Sequence, residues 1–287
     1  MVTFEAVSKK FADTDLQRAD GALRIVMTAA NDATHPKDIF QRSPLRVLFP
    51  KFDRRRMEQA VLINTAGGIA GGDRLEYGVT TLANARITVS TQAAEKVYRA
   101  ISDNAHITTK LQAFESSRVA WLPQETIVFN DARLKRQTEV EVHSGAELLA
   151  AEWLVLGRTA HGENVVRGNI VDSWRVKRDG RLIWADTFRL TDEVFPELGR
   201  SALLSKYRAI GTFIYFNSTP EAQLECSRQI LCSLSCRGAA TLVGGVVLVR
   251  LAAKTGLELR IAARTFLQHF GARLGPTPLE VPKMWYC

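Results

Sequence analysis

From Leu23 to Leu190 the chain is a succession of short alternating segments with no helical period between them, and this restricts the available folds more than any other feature. ARITVSTQ, AHITTKLQAF, RQTEVEVHSG and NIVDSWRVKRDGRLIWADTFRL are rich in Val, Ile, Thr and aromatics. They switch between apolar and polar positions, as half-buried strands do. A βαβ sheet would need helices between such strands, so the pattern predicts a mainly β fold of antiparallel, stacked or superhelically coiled sheets. Asp179-Gly180 supplies a hairpin turn, because Asp-Gly tolerates positive φ.

Helical spacing arrives only in the C-terminal third. PEAQLECSRQILCSLSC, Pro220 to Cys236, gathers Leu224, Ile230, Leu231 and Leu234 towards one face. TGLELRIAARTFLQHFGARLGP repeats the period and stops at Gly-Pro. Between them lies the apolar run TLVGGVVLVRL, read as one strand. A β-rich part over about 23–190 and a helix-strand-helix part over about 200–275 are thus expected. No repeat or Ser/Gly/Pro-rich linker divides them, which predicts a single domain over residues 1–287.

The stretch AGGIAGGDRLEYG, Ala66 to Gly78, follows the strand VLINT as a phosphate-binding loop would. Its exit differs. A P-loop ends in Gly-Lys-Ser/Thr and opens a helix, whereas here the last glycine precedes Asp73 and RLEYGVTT alternates like a strand. An acid there repels phosphate, and a dinucleotide fingerprint fails for the same reason. The loop is either a tight turn between strands or a support for a functional acid.

The formal charge of +8 suits a nucleic-acid binder or a protein with an acidic partner. The densest basic run, Lys51 to Arg56, is short, and acids separate the other bases. No G-x-S-x-G or H-E-x-x-H signature suggests an enzyme. MVTFEAVSKKFADTD lacks the apolar core of a secretory signal, and no apolar run approaches the ~20 residues of a membrane span. A cytoplasmic location is therefore expected.

His35, His106, His143, His161 and His269 are isolated in sequence. Cys226, Cys232, Cys236 and Cys287 read as free thiols. Cys232 and Cys236 fall at i, i+4, either as small core residues or as metal ligands. More suggestive are single acids in apolar or glycine-rich surroundings: Asp73, Glu95 in TQAAEKVY, Glu152 in LLAAEWLVL and Asp186 in LIWADTF. A buried carboxylate needs a partner, water or a shifted pKa. Local alternatives are a turn cap for Asp73, Lys96 or Arg99 as partner of Glu95, and Arg189 or a cross-strand base as partner of Asp186. Arg158 and Glu163 read as an ion pair or loop anchors.

PLRVLFP (44–50), NTAGGIAGGDRLE (64–76), STQAAEKVYR (90–99), WLPQETIVF (121–129), LLAAEWLVLGRTAHGE (148–163) and the terminal PKMW occur in this order. Together they resemble the UreD (UreH) family of urease accessory proteins. Thr65 and Ala66 depart from a pair of prolines common in that family. The resemblance implies a mostly β superhelical fold with two helices, and a non-enzymatic scaffold that docks on the urease apoprotein and on UreF. UreF in turn recruits the GTPase UreG, and the assembly delivers nickel to urease. It also implies no tightly bound cofactor, and an internal polar channel for transient Ni2+ to which Asp73, Glu152, Glu95 and Asp186 are assigned. The helical C-terminal region, with exposed Leu and Phe positions, is expected to dock a partner. A nucleic-acid-binding protein or a nucleotide-dependent enzyme using the glycine loop are the alternatives.

Overall fold

A computed structural model describes residues 17–31, 33–50, 57–158, 161–274 and 278–286. The N-terminal stretch, the basic run 51–56, the Gly-Pro after the second helix and Cys287 lie outside the described residues.

Two sheets stack face to face. The first contains β1 (Asp20–Ala30), β2 (Ala33–Arg42), β5 (Arg74–Thr81), β8 (Ala105–Ala113), β11 (Arg133–Val142), β13 (Asn169–Arg178) and β14 (Arg181–Leu190), in the order β14-β13-β11-β8-β5-β1-β2. The second contains β3 (Leu45–Leu48), β4 (Glu58–Asn64), β6 (Arg86–Thr91), β9 (Arg118–Leu122), β12 (Glu147–Leu156), β15 (Ala209–Phe216), β16 (Arg237–Val243) and β17 (Val246–Ala253), ordered β16-β17-β15-β12-β9-β6-β4-β3. Short strands β7 (Glu95–Val97) and β10 (Thr126–Val128) extend it beside β12.

The mainly β, stacked and coiled expectation holds, but antiparallel pairing does not describe the centre. β1, β5, β8, β11 and β13 run parallel, as do β4, β6, β9 and β12. Parallel neighbours need a long crossover, usually a helix. Here the crossover is a strand of the opposite sheet: the chain leaves β5, crosses as β6, and returns as β8. Each coil thus supplies one strand to each sheet. Antiparallel pairs occur at the flanks, including the β13–β14 hairpin, whose turn residues Asp179 and Gly180 have φ of 48° and 78°.

Burial explains why the strands differ in sequence. β5, β8 and β11 alternate buried with accessible residues, since only one face meets the core. β9 and β12 are buried along nearly their whole length. They are covered by the first sheet on one side and by helices on the other, which is why LLAAEWLVL is almost continuously apolar. The helices are α1 (Glu221–Cys232) and α2 (Gly256–Gly271). Thr255 caps α2 by accepting from the Glu258 amide at 3.1 Å. Phe266 and Phe270 meet Phe213 edge-on, at 4.8 and 5.3 Å between ring centres. Each such ring contributes about 2 kcal/mol by burial.

Three local readings change. The phenylalanines of α2 face the core, and the exposed apolar residues are Leu257 and Ile261. TLVGGVVLVRL is a hairpin rather than one strand, because Gly244 and Gly245 both take positive φ between β16 and β17. Cys232 is exposed rather than a core residue, since it closes α1 on the face away from the sheet, while Cys226 and Cys236 are half-buried.

Candidate functional site in the inter-sheet cavity

Between the sheets lies a cavity of about 40 Å³, lined by Tyr77, Glu95, Thr109, Trp121, Gln124, Arg136 and Glu152 among others. It has room for a water molecule and polar groups to hold one. Alternation places Arg136 and Thr138 on the inward face of β11, and Asp172 on that of β13. Glu152 projects from β12 opposite them.

Arg136 is 5% exposed, Asp172 6% and Glu152 3%. The guanidinium grips Asp172 with two hydrogen bonds, Nε to Oδ1 at 2.9 Å and Nη2 to Oδ2 at 2.8 Å, and donates through Nη1 to Thr126 Oγ1 at 3.0 Å. Nε also stands 3.2 Å from Glu152 Oε2. Glu152 Oε1 accepts from Thr138 Oγ1 at 2.8 Å and from Trp121 Nε1 at 3.4 Å, whereas Oε2 accepts no hydrogen bond. Glu95, half-buried on β7, is held by Asn64 Nδ2 at 3.1 Å.

Three carboxyl groups therefore share this interior with one guanidinium. Burial pushes the Glu152 carboxyl up, against the pull of Arg136, and Asp172 adds to the rise. Burial also raises Glu95, with the Asn64 bond opposing. Tyr77 is driven well above the usual phenol range by burial and by the nearby Glu95 charge. Burial disfavours the Arg136 cation, but Asp172 and Glu152 more than offset it, so the guanidinium stays charged. The interior is acidic in excess and demands a compensating proton or cation.

A pH test follows. A carboxyl raised in the folded state stabilises fully below its ordinary value of 4.5, and that contribution is lost as pH rises through the folded value. Glu95→Gln should therefore match the wild type in acid and exceed its stability near neutrality. Urea midpoints across this range check it, and a gap that does not widen with pH contradicts it.

Of the four acids singled out in the sequence, Glu95 and Glu152 line this cavity together. Asp73 is 5% exposed and sits in the glycine crossing, where Oδ1 accepts from the Ala19 amide at 2.8 Å and Oδ2 from the Ala70 amide at 2.7 Å. Asp186, on β14, pairs with Arg250 of the other sheet. Neither lines the cavity. Arg158 and Glu163 do pair, at 2.9 Å, and Glu163 also accepts from the Asn130 and Arg158 amides, which makes it a loop anchor.

Among the described residues no three His, Cys, Asp or Glu side chains converge as a metal site. In the glycine loop four amides are spent internally, Ile69 on Lys96 O, Ala70 on Asp73, Gly72 on Asn104 O and Asp73 on Ala70 O. Arg136 and Asp172 escaped the sequence reading, although each is a charge in phase with apolar neighbours, Leu134 and Val140 in one strand, Ile170 and Trp174 in the other. A charge on the buried face of an alternating strand was the available signal.

Gln124 ties the cavity wall to the C-terminus. Its Nε2 donates to Met284 O at 3.0 Å and to Gln92 O at 2.9 Å, and its Oε1 accepts from Arg260 of α2 at 3.1 Å. Trp285 donates to Leu122 O at 3.1 Å and meets Trp153 edge-on. The WLPQ and PKMW motifs are thus one structural unit. Residues 19–286 match the family model described as UreD urease accessory protein. The chain belongs to the UreD family. It is 38% identical over 274 residues to the urease accessory protein UreD of Rhizobium leguminosarum bv. viciae, covering 96% of this chain and 97% of the relative. The Xanthobacter autotrophicus UreD is also 38% identical, over 94% of this chain and 90% of its own. That of Rhodopseudomonas palustris is 35% identical, over 93% of each. These UreD relatives carry the name of an accessory protein rather than of an enzyme. No helix among the described residues is long and apolar enough to cross a membrane.

Proposed function

We propose that the chain is a non-enzymatic scaffold of urease maturation that passes nickel towards the urease apoprotein, assembled with UreF and, through UreF, with the GTPase UreG. The observation that carries this reading is the inter-sheet cavity, where carboxyl groups outnumber the single guanidinium and one Glu152 oxygen accepts no hydrogen bond. An excess of buried negative charge draws in a divalent cation, while too few oxygen donors converge to retain it. Transfer needs that combination; storage does not. Glu95 and Glu152 are the residues assigned to the passage. Asp73 shapes the crossing loop from which β5 enters the first sheet, and Asp186 holds β14 against β17.

Co-expression with the urease subunits, UreF and UreG tests the reading. The chain should co-purify with them, and nickel-dependent urease activity should fall to background without it. A chain that neither joins the assembly nor is required for activation overturns the proposal.

A further inference from the structure

Arg136 is the odd member of the cavity. A passage that only attracts cations has no use for a buried guanidinium, which repels them. Yet Arg136 is 5% exposed and spends its N–H groups on Asp172, on Thr126 and alongside Glu152. Its charge is permanent, because a guanidinium does not lose its proton in a protein.

The placement has two consequences for a divalent ion beside Glu152. Both Asp172 oxygens point at the guanidinium, so they are withdrawn as ligands. The fixed positive charge next to Glu152 Oε2 opposes the ion at short range, in surroundings where screening is weak. Without Arg136, the Glu152 and Asp172 carboxylates and the Thr126 and Thr138 hydroxyls would form an oxygen-rich pocket with a charge matching a divalent cation. Such oxygens suit a hard or borderline divalent ion.

We propose that Arg136 is the release element of the cavity, a built-in counter-cation that keeps the Glu152–Asp172 pair from closing into a retaining metal site. This rests on the nickel-passage reading and adds to it a positioning residue that sets how loosely the ion is held.

The test is nickel retention by the full-length chain purified in its accessory complex, with nickel(II) chloride as the probe. Bound metal is measured after gel filtration, and the thermal midpoint with and without the ion. Wild type should keep little nickel through the column and show little ion-dependent shift. Arg136→Met should retain close to one ion per chain, bind at least about tenfold more tightly, and regain on nickel addition the stability lost with the guanidinium. Arg136→Lys, which keeps the charge and loses the fork, should stay near wild type in retention. A solely structural Arg136 would instead give a Met variant that is destabilised and indifferent to nickel.

Arg136→Met with no added retention overturns the proposal. So does failure of both Arg136→Met and Arg136→Gln to fold with nickel present, since the ion should supply the missing charge. The readout is bound metal and not urease activity. Normal urease activation by Glu152 variants would therefore sink the passage reading and the Arg136 role with it, whereas impaired activation beside an Arg136→Met that traps no nickel would sink the Arg136 role alone.

Discussion

Gly71→Ala is expected to destabilise the protein by about 3 kcal/mol. Gly71 lies where the chain crosses from β4 to β5, and a Cβ there would stand 2.6 Å from the Ala100 Cβ and 2.6 Å from the Asp103 carbonyl oxygen. The second neighbour is backbone and has no rotamer through which to withdraw. The crossing is also pinned by Ile69 and Gly72 amides bonded to Lys96 and Asn104 carbonyls, so strain spreads into β7 and the entry to β8. Gly67→Ala is the internal control. Gly67 has φ of 73° with nothing within 4 Å of the added carbon, so only the left-handed backbone penalty of about 1 kcal/mol applies. Urea unfolding of the two variants should separate them clearly. Equal losses would mean that close approach at Gly71 is not what the glycine run provides.

The faces of the strands were legible in the sequence. Alternation in RQTEVEV and AHITTKLQA marked a sheet with one wet face, and the near-continuous LLAAEWLVL marked a strand covered on both. The direction of pairing was not legible, because a parallel crossover made of a strand in another sheet leaves the same local pattern as a meander. The acids were found one by one, but convergence is a property of coiling. Glu95 and Glu152, far apart in sequence, line one cavity because successive coils stack. Asp186 looked alike in sequence and ends on a flank, paired to Arg250 from a strand that no spacing rule connects to it. Asp73 accepts from the Ala19 and Ala70 amides with its two oxygens, as the turn-cap alternative anticipates. The glycine loop thus positions the strand that carries Tyr77 into the cavity.

The second large effect concerns charge at the cavity. Glu152→Gln keeps the size of the side chain and leaves Arg136 and Asp172 as a balanced, doubly hydrogen-bonded pair. Glu95→Gln keeps a partner for Asn64. The double variant therefore removes the negative excess without opening the core, and both changes relieve carboxyl groups that burial already disfavours. Its fold and its docking on partners should be intact, with stability equal to or above wild type. What it should lose is the attraction that raises the local concentration of a divalent cation, an effect of tenfold or more in sites lined by one sign of charge.

The decisive measurement is nickel per urease active site after co-expression of urease, UreF and UreG with either the wild-type chain or Glu95→Gln/Glu152→Gln. Nickel should fall by about tenfold with the double variant while the amount of chain co-purifying with urease is unchanged. Full nickel occupancy with an equally assembled complex would contradict passage through the cavity.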